Sequence, residues 1–449
     1  MGAFKAYDIR GVYNKDFDKE TVYRIGCFLP RLLDSGHVLV GRDVRLSSDE
    51  IHDALCAGIT DAGADVWDLG LCTTPMVYYA TRHYDASASV QITASHNPPQ
   101  YNGLKISRRD AIPVGGDSGL KELERMVLEE DFQPAPVKGK VLDYSAFRQV
   151  YIDYMKAFVP DLDGLDITVD CSNGMSALVV KDILGDRKGI SWLNDNMDGS
   201  FPAHEPNPLE VENCRQIIQA VKDNGSDVGV IYDGDADRVM FIDEKGRFIQ
   251  PDYITALIGY YYKGKGEVGA ALQDIRTSRS TTEYLEKLGF TVTTWKVGHA
   301  YAKLKIREIK GIFGGELAGH YYFRDFGNCD SGILASLIVL SVVASLKKEG
   351  RSLGDFMSQI VCYTNSGEVN FRLERKDEAI QAIYERFVTN DHPTKVLDFD
   401  GYRIEFPDWW LNVRKSNTEP YLRIVCEARD EVSLTRRLDE VRSIIARFN

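Results

Sequence analysis

Close cysteine pairs are missing from this chain. Its eight cysteines (27, 56, 72, 171, 214, 329, 362 and 426) never come within four residues of one another, which excludes a C-x-x-C redox or zinc pair. No signal-peptide pattern precedes them, so reduced thiols in a cytoplasmic protein are expected. A membrane-spanning run is missing too. The most apolar stretch, 332–346, falls short of the ~20 residues a span requires and reads as a core helix. Excess positive charge is absent: 54 Lys and Arg against 67 Asp and Glu give −13, which argues against a nucleic-acid or anionic-membrane partner. Nucleotide signatures are lacking as well. No G-x-G-x-x-G follows a strand, and 259–265 fits only part of a P-loop, since Gly266 stands where Ser or Thr is required.

What is present is an ordinary globular composition, 44% apolar and 27% charged. The 449 residues exceed what one core supports, and length alone suggests about three domains. Strand–loop–helix units recur along the chain. Strands are expected at 37–43, 64–70 and 88–92, with a helix over 47–61 opened by a Ser-x-x-Glu cap. A helix near 120–128 follows, and another over 145–158 bridges to a second unit. That unit has strands at 166–170 and 227–232, a helix after Ser172-Asn173-Gly174, a helix over 214–223, and a hairpin from 239–242 to 247–249. A third unit begins near Pro251 and alternates strands (268–272, 290–295, 312–313) with helices (280–288, 300–308, 331–347). The segments 61–70 and 287–298 echo each other in order: helix end, glycine, strand with tryptophan, loop glycine. From about Thr364 short strands (369–373, 402–406, 409–413, 422–427) surround helices at 378–388 and 431–447, which reads as a separate α+β domain. The expected divisions are 1–144, 145–250, 251–363 and 364–449.

Four polar loops carry candidate chemistry. Thr93-Ala94-Ser95-His96-Asn97-Pro98-Pro99 puts a hydroxyl and an imidazole on a stiff loop after a strand; taken alone, it is an ordinary polar turn. Asp233, Asp235 and Asp237 are spaced by two, so an extended chain would point them to one side. Three packed carboxylates repel unless a cation neutralises them, and hard oxygen ligands suit Mg²⁺. An EF-hand calcium loop competes, with Glu244 at its twelfth position, but Arg238 sits where that loop needs glycine. A merely structural acidic turn is the other alternative. Gly315-Glu316-Leu317-Ala318-Gly319-His320 sets a carboxylate in a glycine-rich loop, and Lys296-Val297-Gly298-His299 adds an amine and an imidazole. Arg414-Lys415-Ser416-Asn417-Thr418-Glu419-Pro420 offers the mixed donors a phosphate wants.

Together with Ala6-Tyr7-Asp8-Ile9-Arg10-Gly11, these motifs stand in the order found in α-D-phosphohexomutases, and the chain most resembles the phosphomannomutase/phosphoglucomutase group along its whole length. The resemblance implies three related α/β domains with mixed sheets plus a C-terminal α+β domain like the TATA-binding-protein fold, set around a central cleft. It implies that Ser95 is phosphorylated, that Ser95, Asp233, Asp235 and Asp237 bind Mg²⁺, and that Arg10, His96, Lys105 and Arg238 surround the transferring phosphoryl group, with Lys105 a candidate proton shuttle and Arg238 compensating charge. Substrate would meet Lys296, Gly298, His299, Glu316, Ala318 and His320. Its other phosphate would meet Arg414, Ser416, Asn417, Thr418 and Arg423. The implied reaction interconverts hexose 1-phosphate and hexose 6-phosphate, with a hexose 1,6-bisphosphate as intermediate and activator. A monomer or homodimer acting on a small phosphosugar is expected. One departure stands out: the group's usual Gly-Glu-Met-Ser-Gly-His has Leu317 and Ala318 at its centre here, so one sugar contact is missing and the hexose preference is open. A phosphoglucosamine mutase would use the same machinery. A metal-dependent phosphatase would share Ser95 and the aspartates but not need the Arg414 loop, and a non-catalytic sugar-phosphate binder would need neither Ser95 nor Lys105.

Overall fold

The computed structural model describes residues 2–416 and 421–448. Four separate sheets account for its strands, and three of them share one design. In each, a first strand (His37–Arg42, Ile167–Asp170 or Ala270–Asp274) lies between a parallel second (Asp65–Leu71, Ile190–Leu193 or Thr291–Trp295) and a parallel third (Ala88–Ile92, Val228–Tyr232 or Phe313–Gly315). The third strand then turns back into an antiparallel fourth: Tyr101–Arg108, Val239–Asp243 or Tyr321–Phe323. The echo between 61–70 and 287–298 falls on the second strand of the first and third sheets. More important for function, the turn from third to fourth strand occurs three times. It comprises 93–100, 233–238 and 316–320, the three loops singled out for their chemistry.

The sequence explains the layering. Val228–Tyr232 and Val239–Asp243 are buried at every position, as continuous apolar runs are when both faces of a sheet are covered. Their cover includes Gly332–Lys348, the apolar run too short to span a membrane; it packs on both strands and on the helix Pro251–Gly264. The Tyr232 hydroxyl and Ser336 Oγ, 2.6 Å apart, satisfy each other inside that contact. No described helix is long and apolar enough to cross a membrane. The C-terminal sheet is wholly antiparallel, in the order Thr364–Arg372, Tyr421–Ala428, Trp409–Lys415, Tyr402–Glu405, Lys395–Leu397, and the helix Glu431–Ile445 packs against it.

Several elements depart from expectation. The helix after Ser172-Asn173-Gly174 shrinks to a 3₁₀ turn, Met175–Leu178, and the short helix Val180–Leu184. Helices Lys19–Leu33, Thr74–His83 and Leu353–Ile360 and the strand Ile190–Leu193 were not foreseen. Pro75 sits in the first turn of one helix, where a missing N–H costs nothing. Pro30 sits inside another, where packing overrides it. There Gly26 and Gly58 face each other's helix so closely that added Cβ atoms would lie 2.4 Å from the Leu55 carbonyl and 2.1 Å from the Tyr23 carbonyl.

Candidate active site

Ser95 sits in the first of the three equivalent turns, 3% exposed, with a left-handed φ of 52°. A non-glycine residue holds such a conformation only if its surroundings impose it. Arg45 does so. Its Nη2 donates to the carbonyls of Ser95 (2.9 Å) and Asn97 (2.6 Å), and its Nη1 to those of Pro98 (2.8 Å) and Tyr101 (3.1 Å). Asp43 pairs with Arg45 Nε at 3.2 Å, so the buried guanidinium is neutralised. The second turn abuts the first. A Cβ on Gly234 would lie 2.4 Å from the Ser95 carbonyl, a clash only glycine avoids.

Asp233, Asp235 and Asp237 are fully buried, and their carboxylate oxygens lie within 4.8 Å of one another. They converge for a different reason from the one expected. Residues 233–238 form a tight turn, with Ala236 at φ 63°, not an extended segment. Ser95 Oγ donates to Asp233 Oδ2 at 2.9 Å, and His96 Nδ1 lies 3.4 Å from the same hydroxyl. Lys105 Nζ bridges Asp235 (2.7 Å) and Asp237 (2.5 Å), while Arg238 Nε donates to Asp233 at 2.9 Å. The Thr74 hydroxyl donates to Asp235 at 2.5 Å, a contact not foreseen. Arg10 reaches the loop through Asn97 Oδ1 at 3.0 Å and pairs with Asp8.

The electrostatics follow from this crowding. Burial, then Asp235, pushes the Asp233 carboxyl up to about 7 despite Arg238. Burial works against ionised Asp235 as well, but Lys105 holds it well below the usual carboxylate range. Lys105 in turn is raised by Asp235 and Asp237, which outweigh its desolvation, so it stands as a locked ammonium, which counts against the expected proton-shuttle role. Burial, with Arg238, Arg10 and Lys105 nearby, keeps His96 neutral. Asp235 Oδ1 and Asp237 Oδ1 are buried without hydrogen-bond partners. Three converging buried carboxylates, two of them with an unpartnered oxygen, are the donor set of a hard divalent cation. A second trio, Asp237, His320 and Asp330, has similar spacing, but the Lys303 ammonium already lies 2.7 Å from Asp330. The EF-hand alternative does not hold. Glu244 lies beyond the far end of Val239–Asp243 and accepts from Gly354 N at 2.9 Å.

The third turn brings His320 beside the aspartates, its Nδ1 3.8 Å from Asp237 and 2.8 Å from Asp330. Burial opposes the imidazolium, yet Asp237 and Asp330 raise its pKa. Glu316, 2% exposed, accepts from Gly298 N (2.7 Å) and the Tyr322 hydroxyl (2.6 Å), which fixes its carboxylate. Leu317 packs with Trp410 and Val425 of the C-terminal domain, and Ala318, half-buried, presents only a methyl. His299 stacks 5.9 Å from His320, and Lys296 lies over Tyr301 at 5.6 Å. In the C-terminal sheet Arg414 is 3% exposed, Arg423 pairs with Glu368 at 2.8 Å, and Ser416 N donates to the Tyr421 carbonyl at 2.9 Å. Asn417 and Thr418 lie outside the described residues.

Comparison with known proteins fits this geometry. Residues 1–134, 149–246 and 250–363 match phosphoglucomutase/phosphomannomutase alpha/beta/alpha domains I, II and III, and 368–444 match the family's C-terminal domain. The chain belongs to the phosphoglucomutase/phosphomannomutase family. A phosphomannomutase of Salmonella montevideo is 35% identical over 97% of this chain and 96% of its own length. One of Methanocaldococcus jannaschii is 34% identical over 99% and 98%. A solved phosphoglucomutase/phosphomannomutase family protein of Burkholderia thailandensis superposes with a TM-score of 0.88 at 27% identity, covering 99% of this chain and 97% of that one.

For this family member, sequence reasoning missed Arg45, Thr74, Lys303, Asp330 and Glu368, and Arg276, whose guanidinium pairs with Asp274 and Glu368. Arg45 lay two residues past the polar end of the strand 37–43, and its partners are backbone carbonyls, which leave no residue-type signature.

Proposed function

We propose that this family member interconverts hexose 1-phosphates and hexose 6-phosphates in the cytoplasm, with Ser95 as the phosphoryl carrier and a hexose 1,6-bisphosphate as intermediate and activator. The observation that carries the reading is a buried serine hydroxyl 2.9 Å from one of three converging carboxylates. In the forward direction the phosphoryl group leaves Ser95 Oγ for the free hydroxyl of a bound hexose phosphate; that hydroxyl gives up its proton and Ser95 Oγ takes one up. The bisphosphate turns over, and its other phosphoryl group returns to Ser95. Arg10, Lys105 and Arg238 bring cationic charge around the group in transit, and neutral His96 adds a polar contact without competing charge. His320, facing both Asp237 and Asp330, is placed to hold or release the substrate proton. Asp233, Asp235 and Asp237, together with a phosphate on Ser95, would hold Mg²⁺, which would supply Lewis-acid stabilisation of phosphoryl oxygens. Glu316 orients sugar hydroxyls. Arg414, Ser416 and Arg423, with Asn417 and Thr418, hold the phosphate that is not reacting.

Two readings compete on substrate. Ala318 removes a hydroxyl from the sugar loop, which leaves phosphoglucosamine a contender beside mannose and glucose phosphates. Steady-state turnover of the three hexose 1-phosphates, each with glucose 1,6-bisphosphate and Mg²⁺, separates them by kcat/KM. Mannose or glucose 1-phosphate is expected to lead by about tenfold or more, since differential contacts of one hydrogen bond are worth that much. Predominant turnover of glucosamine 1-phosphate would overturn the substrate assignment.

A further inference from the structure

The arginines of the phosphate loop face a carboxylate of their own. Glu368, on the strand Thr364–Arg372, places Oε1 2.8 Å from Arg423 Nη1, and Oε2 3.1 Å from Arg276 Nη1 and 3.6 Å from Arg414 Nη2. A register shift between Asn365 and Glu368 breaks the ladder immediately before it. Arg276 follows the strand Ala270–Asp274 of the third sheet, whereas Arg414 and Arg423 belong to the fourth, so one carboxylate joins guanidiniums of two domains. Burial disfavours the charge on Glu368, but Arg276, Arg423 and Arg414 together hold its pKa below the ordinary value. Arg276 is independently paired with Asp274 through two contacts, at 2.8 and 3.2 Å, so Glu368 is not needed to neutralise it. Arg414, by contrast, meets Glu368 only loosely and keeps a buried Nε without a partner.

A phosphate bound to Arg414 and Arg423 must therefore share them with an ionised carboxylate. Like charges on the same guanidiniums weaken the hold on the ligand. The proposed reaction gives that weakness a use. The bisphosphate has to release one phosphate from this loop and present the other, and a site that grips both states equally hard lowers KM without raising kcat. We propose that Glu368 is a positioning residue that limits the affinity of the Arg414–Arg423 phosphate site, so that the bisphosphate can let go and turn. This rests on the reading of Arg414 and Arg423 as the phosphate holder.

Glu368→Gln keeps the size and one acceptor oxygen while removing the charge. With glucose 1-phosphate and glucose 1,6-bisphosphate, its KM is expected to fall about fivefold and its kcat to fall with it, the mark of a bound phosphate held more tightly than the step that must release it allows. The inhibition constant of inorganic phosphate should fall in parallel. Glu368→Ala should shift both in the same direction, and Glu368→Asp, which keeps the charge, should stay near wild type. A carboxylate that merely props the arginines in place gives the opposite sign, a raised KM. A raised or unchanged KM in folded Glu368→Gln overturns the proposal, as does failure of both neutral variants to fold. Arg414→Ala, assayed alongside, keeps the two claims apart. An unchanged KM there rejects the phosphate-holder reading itself, whereas a raised KM without the Glu368→Gln effect rejects only the role of Glu368.

Discussion

Arg45 makes the strongest case at the scale of single residues, because four carbonyl groups of the Ser95 loop converge on one guanidinium. Lysine has one point charge and cannot reproduce that fork. Arg45→Lys is therefore expected to slow phosphorylation of Ser95 by about tenfold or more, in line with the cost of a small misplacement of reacting atoms, while leaving the secondary structure intact by circular dichroism. Arg45→Ala strands Asp43 as a buried unpaired charge and should cost about 3–5 kcal/mol in denaturant unfolding. Asp252 supports a pH prediction. Burial, with Glu427 and Asp274 nearby, raises its carboxyl to about 7 even though it accepts from Ser278 N. The folded state thus binds this proton more tightly than the unfolded chain, so the contribution of Asp252 to stability is full below about pH 4 and is lost as pH rises through 7. Asp252→Asn should flatten that loss and raise Tm at pH 8 by at least about 2 °C in thermal scans. Legibility at this scale followed residue type. Ser95, Asp233, Asp235 and Asp237 announce themselves as a nucleophile and an acidic cluster. Glu368 and Thr74 do not, because their partners lie many residues away: Arg414 and Arg423 for Glu368, Asp235 for Thr74.

At the scale of elements, apolar runs were the readable part. The helix Gly332–Lys348 was visible because almost every position is buried, which leaves no polar stripe to obscure it. Leu337, 1% exposed at its centre, sets the size of that contribution; Leu337→Ala should cost about 2–5 kcal/mol, measured by denaturant unfolding. The aspartate turn was misread as extended, since spacing by two suits a strand equally well. What distinguishes it is the left-handed backbone of Ala236, which no side-chain pattern signals. Two of the unforeseen helices hold a proline, Pro30 inside one and Pro75 in the first turn of the other, and proline taken by itself argues against a helix interior. The pairing that makes 93–100, 233–238 and 316–320 equivalent was not legible either, because it is a property of strand order in separate sheets.

For the whole molecule, several contacts tie the C-terminal unit to the third domain. Arg403 Nη1 donates to the carbonyls of Ile275 (3.0 Å) and Thr277 (2.6 Å), Val297 N donates to Asp400 at 2.8 Å, and Leu317 packs on Trp410. In the proposed reaction such contacts would help keep water from a phosphate on Ser95. Inorganic phosphate should accordingly be released in well under one turnover in ten by the rule that lids suppress hydrolysis of reactive intermediates; release matching turnover would make the protein a phosphatase. Removal of divalent cations with EDTA should abolish mutase activity, and Mg²⁺ should restore it. The most direct measurement is the intact mass of the full chain before and after glucose 1,6-bisphosphate. A gain of one phosphoryl group, absent from Ser95→Ala, is the predicted result; a mass unchanged in the wild type, or a gain that persists in Ser95→Ala, would contradict Ser95 as the carrier.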